Sequence, residues 1–268
     1  LGARLLNRNT RGVSATEIGT LCYQKCKTIL REVEEADNLA LLLQSRVGGT
    51  LRVSTSVAFG RRVLTPLVLA FMREHGDISI DLGFDDRYVN LVEQGIDVAL
   101  RMGRLADSAL GSRYLGVNPW LVTAAPAYLE RQGEPGTPHE LSAHACLVYS
   151  SVQGDDRWQF SDAQGRGITV QVQGPLRSNN LTAVLAAARA GHGVAVLPWY
   201  VAREAIADGS IRPLLQGYAP PSQELHAVYP SPKLVPSKVA TFIAFLQSRL
   251  AEVDGLAWWQ RDVALPRS

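Results

Sequence analysis

Apolar residues recur near the start of the chain at steps of four and three: Cys22, Cys26, Ile29, Val33, Ala36, Ala40 and Leu43. Heptad spacing sustained in this way predicts a helix with a narrow apolar seam. Ser14 and Glu17 have capping-box spacing, and Gly48-Gly49 ends the pattern, so the linker helix is expected over 14–47. Such a helix, about 45 Å long at 1.5 Å per residue, cannot hide its seam in a small core. A second copy of the chain can cover it. Cys22 and Cys26 lie on that seam, and no His or third Cys stands near enough to complete a zinc site. They read as buried apolar residues.

Beyond Gly49 the pattern changes to alternating strands and helices. Strands are expected at Leu51–Thr55, Ile78–Phe84 and Asp97–Met102, with helices at Gly60–Glu74 and Arg87–Gln94 between them. Strand, helix, strand, helix, strand is the signature of a parallel sheet. A second such unit follows, with Ala145–Tyr149 as the crossing strand. Short strands are expected at 158–160 and 168–172, a helix at 181–190, a buried strand at 193–197 and a helix at 200–207. Leu225–Tyr229 and a helix from Pro236 to Leu250 should return to the first unit. The fold class is therefore α/β, with two Rossmann-like lobes over 48–250. The first lobe takes about 50–150 plus 225–250 and the second about 151–224, leaving 251–268 as a tail.

Composition adds boundaries. With 268 residues, 46% of them hydrophobic and 19% charged, the chain has the make-up of a globular protein with an ample core. No apolar run is long enough to span a bilayer, and no signal peptide is visible. Three cysteines without scaffold spacing agree with a reducing, cytoplasmic compartment. The net charge of +2 is unevenly spread: residues 1–31 carry six basic side chains against Glu17 alone, an excess of +5 that leaves −3 for the rest. A basic end on a mildly acidic body is the footprint expected of a nucleic-acid contact at one terminus.

The same basic end carries a motif. Leu1-Gly2, the pair Leu5-Leu6, Asn7-Arg8, Thr10-x-Gly12 with Arg11 between them, and Thr16-Glu17-x-Gly19 follow in order. This resembles the wing of the winged helix-turn-helix in LysR-type transcriptional regulators, with Leu6 where Phe is more usual. Further pieces of the resemblance are Gly49-Thr-Leu-Arg-Val53, the run from Asp86 through Gly95-Ile96-Asp97 to Arg101-x-Gly103, and Ala190-Gly191-x-Gly193-Val194-Ala195-x-Leu197-Pro198. The resemblance covers nearly the whole chain. It implies a remnant wing over 1–13, a dimerising linker helix and a two-lobed effector-binding domain built like periplasmic binding proteins. It also implies double-stranded DNA as a partner, contacted through Arg4, Arg8, Thr10 and Arg11, and a homodimer or tetramer. Because no recognition helix precedes the wing, that helix is expected upstream of residue 1.

In open α/β sheets ligands bind beyond the carboxyl ends of the strands, and between lobes where there are two. That rule selects Ser54, Thr55, Ser56 and Phe59 after the first strand, Asp85 after the second and Arg101 at the third. In the other lobe it selects Ser178, Asn179, Pro198 and Trp199. Hydroxyls and helix N-terminal amides near Ser54–Ser56 could hold an anionic group. With Arg101 they hint at a small organic acid as the effector, although Asp85 opposes a strongly anionic pocket. Ser178 and Asn179 also have the alternative of simple helix capping, and Arg101 that of an ion pair with Asp85.

Catalytic motifs are absent: no phosphate-binding loop, no Gly-x-Ser-x-Gly elbow and no His-Glu-x-x-His pair. The five histidines (His75, His139, His144, His192, His226) are scattered. No catalytic residue, metal or cofactor is expected. Three readings follow. The first is a ligand-sensing dimeric regulator and the second a cytoplasmic small-solute-binding protein without a DNA role. The third is an α/β enzyme, disfavoured by the missing motifs.

Overall fold

The computed structural model describes residues 3–9, 12–43, 48–87, 90–103, 110–150, 156–232 and 235–252. It opens on an antiparallel hairpin of β1 (Leu6–Asn9) and β2 (Gly12–Ala15), with Arg8 opposite Val13. Helix α1 (Glu17–Leu43) follows directly. Its cap is Thr16 rather than Ser14. Ser14 is held in β2, while the Thr16 hydroxyl accepts from the Gly19 amide at 2.9 Å. The Thr16 amide in turn donates to the Leu5 carbonyl. Gly19 faces that carbonyl so closely that a Cβ would stand 1.9 Å from the oxygen. The Thr16 and Gly19 positions of the N-terminal motif are thus explained by the seating of the hairpin on the helix.

The first lobe is a five-stranded sheet in the order β4-β3-β5-β14-β6. It comprises β3 (Gly49–Thr55), β4 (Ile78–Phe84), β5 (Val98–Met102), β6 (Gly111–Asn118) and β14 (Gln223–Tyr229). From β3 the chain enters α2 (Val57–Phe59), a π-helical turn over Gly60–Leu64, and α3 (Thr65–Glu74). A short α4 (Leu91–Gln94) connects β4 to β5. Asn90 caps it and Gly95, at φ 64°, closes it in the left-handed region. Only glycine accepts that conformation without steric cost.

The second lobe repeats the plan. Its sheet runs β11-β8-β12-β7-β13, from β7 (Trp120–Ala124), β8 (Ala145–Tyr149), β11 (Gln173–Ser178), β12 (Val194–Pro198) and β13 (Arg212–Leu214). Helices α6 (Leu181–Arg189) and α7 (Trp199–Ala207) pack on it. Helix α5 (Pro126–Gln132) and a hairpin of β9 (Arg157–Ser161) and β10 (Gly167–Gln171) add Tyr128, Leu129, Trp158, Phe160 and Val170 to the buried core. Helix α8 (Ser237–Glu252) returns to the first lobe and packs on α3, β3 and β6. The tail beyond it lies outside the described residues.

In each sheet four strands run one way, and the fourth in spatial order runs against them. That fourth strand, β7 or β14, is the one that has just arrived from the other lobe. The passage between lobes therefore falls at Pro119 and again at 215–222. The first passage lies well before the boundary expected near 150, and Ala145–Tyr149 is an inner strand of the second sheet, not a crossing. The segment 111–124 joins different sheets on either side of Pro119, which lacks the amide needed to continue a ladder.

Candidate functional site

The carboxyl ends of β3, β4, β5 and β6 and the start of β14 share one edge of the first sheet. The ends of β8, β11, β12 and β13 and the start of β7 share the corresponding edge of the second. Both passages leave from these edges, so they bound the space between the lobes. The two edges meet in the described structure. The ring of Phe59, fully buried, stands edge-on to Tyr200 at 5.5 Å. Arg62 pairs with Glu204 at 2.9 Å, and the Trp120 indole donates to Gln223 Oε1 at 3.1 Å.

The structure assigns the sequence-predicted residues unequal roles. Thr55 is buried and donates its hydroxyl to the Leu100 carbonyl, so that group is spent inside the sheet. Ser54 is also buried. Ser56 is half-buried beside the Tyr200 phenol. Burial, with smaller contributions from Tyr149 and Asp86, raises the Tyr200 pKa far above its ordinary value, so the group remains a neutral phenol. Asp86, rather than a ligand, reaches the first helix amide: its carboxylate accepts from Val57 N–H at 3.0 Å. One of the amides expected to greet an anion is therefore already satisfied by the chain's own carboxylate.

Arg101 lies near the end of β5, the strand that runs parallel beside β3. Its side chain is 8% exposed and reaches the Arg87 carbonyl at 3.5 Å. Asp85 accepts from the Arg87 amide at 2.8 Å and lies 3.6 Å from the Arg87 guanidinium. Arg87 thus contacts both members of the ion pair considered from sequence. In the second lobe the cap of α6 is Asn180, which accepts from Thr182 and Ala183. Ser178 accepts from the Asn180 amide, and Asn179 stays exposed. Pro198 pairs with Trp120 across β12 and β7. The Trp199 amide donates to the Pro119 carbonyl at 2.9 Å.

Sequence reasoning missed the residues that floor this space. Asn118, the last residue of β6, is fully buried. Its amide nitrogen lies 3.5 Å from the Met102 sulfur, while its Oδ1 has no hydrogen-bond partner among the described residues. A buried amide oxygen left without a donor costs about 1–3 kcal/mol, which marks the spot as a place for an incoming N–H or O–H. Trp120 stacks on Tyr149 with centroids 6.0 Å apart. Neither was visible from sequence, because segment 104–144 carried no recognised periodicity. The one available signal was a polar residue immediately before a proline between two apolar runs.

On α1 the seam is uncovered within one chain. Ile29 and Val33 are more than half exposed, as are Ile18, Leu21, Tyr23 and Leu30. Within one chain Cys26 is exposed and Cys22 half-buried, in line with the rest of the seam. The reason is that α1 touches the body at α4, where Arg31 donates to the Val92 carbonyl at 2.6 Å. The side chains of Ala36, Ala40 and Leu43 lie outside the described residues. At the basic end, Arg4 is exposed and bends back to the Leu6 carbonyl. Thr10, Arg11 and the side chain of Arg8 lie outside the described residues. Among those described, no cluster of metal-ligating side chains occurs and no helix is long and apolar enough to cross a membrane.

Comparisons with known proteins agree with this architecture. The family profile described as LysR substrate binding domain matches residues 44–251. An uncharacterized HTH-type transcriptional regulator of Haemophilus influenzae is 35% identical over 239 residues, which is 89% of this chain and 83% of the relative. The full-length structure of AphB, a virulence activator of Vibrio cholerae, aligns at a TM-score of 0.70 and 27% identity, covering 91% of this chain and 83% of that one. The structure of CrgA, a LysR-type transcriptional regulator from Neisseria meningitidis, aligns at 0.68 and 30%, covering 93% and 84%.

Proposed function

The chain belongs to the LysR-type transcriptional regulators, with an effector-binding domain of two lobes, and from that premise we propose how it works. A small organic acid enters between the lobes and changes their angle. The change is carried through α1 to a DNA-facing hairpin, in a cytoplasmic homodimer joined along the α1 seam. The observation that supports this most is the pairing of two like sheets, their strand ends face to face and joined by two passages. A molecule touching both edges stabilises one lobe angle over another only to the extent that it binds that angle more tightly.

Arg101 is the cation offered to the acid, held at the cleft edge near the end of β5. Phe59, Tyr200 and Trp120 form the aromatic wall, and Asn118 Oδ1 is an acceptor for a hydroxyl or amide of the ligand. Pro198 and Ser178 mark the opposite rim. The hairpin contributes Arg4, Arg8, Thr10 and Arg11 to phosphates, contacts that position the protein without reading sequence. The seam residues Cys22, Cys26, Ile29, Val33, Ala36, Ala40 and Leu43 face the second copy. The relatives are transcriptional regulators, and no step of this reading needs catalysis.

Fluorescence anisotropy on DNA upstream of the protein's own gene tests the proposal with a protein that also carries the recognition helix expected before the hairpin, against scrambled DNA, at two salt concentrations and with a panel of aliphatic and aromatic carboxylates. Sequence-selective binding whose affinity shifts with one carboxylate is expected. Arg101→Met should retain DNA binding and lose the shift. Equal, salt-labile binding to both DNAs would leave only a basic surface at work and would sink the regulator mechanism.

A further inference from the structure

A cavity lies beside the cleft, where the chain passes between lobes, and shares Trp120 with the cleft wall. Its volume is about 190 Å³, and its walls include Pro119, Trp120, Trp199, Leu214, Leu215 and Tyr218. That exceeds the ~150 Å³ of an apolar protein cavity known to stay dry and take up benzene. No lining side chain carries a charge; Gln216, Tyr218 and Ser222 supply the few polar atoms among the walls. Both passages contribute, Pro119 from the first and Leu215–Ser222 from the second.

A separate feature falls on the same wall. Leu215 sits at φ 51°, a left-handed conformation that a leucine adopts only when its surroundings impose it. Its carbonyl accepts from the Tyr218 amide at 2.8 Å, closing the turn that forms one side of the cavity. Strained non-glycine backbone of this kind gathers at ligand sites and switch segments.

We propose that this hinge cavity, which adjoins the interlobe cleft across Trp120, is a binding site for an uncharged, planar, apolar molecule the size of a bicyclic phenol. Apolar burial against two indoles and two leucines drives the binding. One hydroxyl on the molecule is satisfied by the sparse polar atoms of the wall. A carboxylate is rejected, because its desolvation would meet no cation in return. The proposal stands without the cleft reading, since it needs neither DNA nor the effector.

Calorimetry with 1-naphthol and 1-naphthoate on the whole chain carrying Arg101→Met, which removes the cation proposed to hold acids in the cleft, tests this. Saturable one-to-one binding of 1-naphthol is expected, with 1-naphthoate at least tenfold weaker. Ala219→Phe should reduce 1-naphthol affinity at least tenfold by filling the cavity. Ala219 is held by backbone bonds to Ser161 in both directions, so enlarging its side chain leaves those bonds intact. Leu121→Trp, which fills the cavity from another strand, replaces it should that variant not fold. Absence of saturable 1-naphthol binding, equal binding of the carboxylate, or indifference to both filling variants would each overturn the site.

Discussion

Replacing Lys238 with methionine should destabilise the first lobe more than the second, and the size of the effect can be worked from the structure. Lys238 opens α8 and is 4% exposed. Its ammonium donates to the Thr50 carbonyl and lies 3.1 Å from Asp97 Oδ2. The same carboxylate oxygen accepts from the Arg52 amide at 2.8 Å. One lysine therefore ties α8 to both β3 and the start of β5. Removing one member of a buried pair costs about 3–5 kcal/mol, mainly from the charge left behind. Here Asp97 keeps the Arg52 amide and is 20% exposed at its side chain, so the low end, about 3 kcal/mol, is expected.

With a urea dependence of about 2 kcal/mol per molar, that loss moves the midpoint down by about 1.5 M. Two probes locate it. In a parent carrying Trp258→Phe and Trp259→Phe, the remaining tryptophans Trp120, Trp158 and Trp199 all lie in the second lobe, so their fluorescence follows that lobe, while far-ultraviolet circular dichroism follows both. Lys238→Met should shift the dichroism transition and leave the fluorescence transition nearer its original place. Adding Asp97→Asn removes the stranded charge and should restore most of the loss. A shift below ~0.5 kcal/mol, the size of an ordinary surface substitution, or no recovery in the double variant, would refute the role assigned to the pair.

Other outcomes follow from single residues. Gly19→Ala would put a methyl 1.9 Å from the Leu5 carbonyl; trypsin should then cut at the basic residues of 3–15 at least tenfold faster, with helix content unchanged. Protection equal to the parent would show that the hairpin is not seated there. Burial pushes the Cys146 thiol up to about 12. In a variant with Cys22→Ser and Cys26→Ser, alkylation at pH 8 should run about three orders of magnitude slower than for an ordinary thiol, because only the thiolate reacts. The rate should rise about tenfold per pH unit until the pH approaches the raised pKa. Mass spectrometry follows it, and a rate like that of free cysteine would contradict the burial.

Much of the architecture was legible from local pattern. The strands at 78–84 and 145–149 and the helices α6, α7 and α8 lie within a residue or two of where periodicity placed them. Each is a continuous segment whose alternation or 3.6-residue repeat records which side it buries. The helix start was displaced by two neighbours, Ser14 and Thr16, that compete for the same cap. The contest was decided by the Leu5 carbonyl, which only the folded hairpin brings to Thr16. The candidate site was less legible. Thr55 and Ser56 are alike in sequence, yet one hydroxyl is spent on Leu100 and the other stands at the lobe edge.

What the sequence by itself determined is the kind of protein: two α/β units, a long helix with an exposed apolar seam, a basic hairpin, and a run of glycine-marked turns that carries the family pattern. These are properties of contiguous segments. Tertiary structure alone decided which sheet each strand joins, that the chain crosses between lobes at Pro119, and that Asn118 and Trp120 floor the cleft. It also decided that residues from 119–122, 199 and 213–222 enclose one cavity. Those facts depend on pairing between segments far apart in the chain, and a strand's own hydrophobic pattern records that it will be buried, not against which partner.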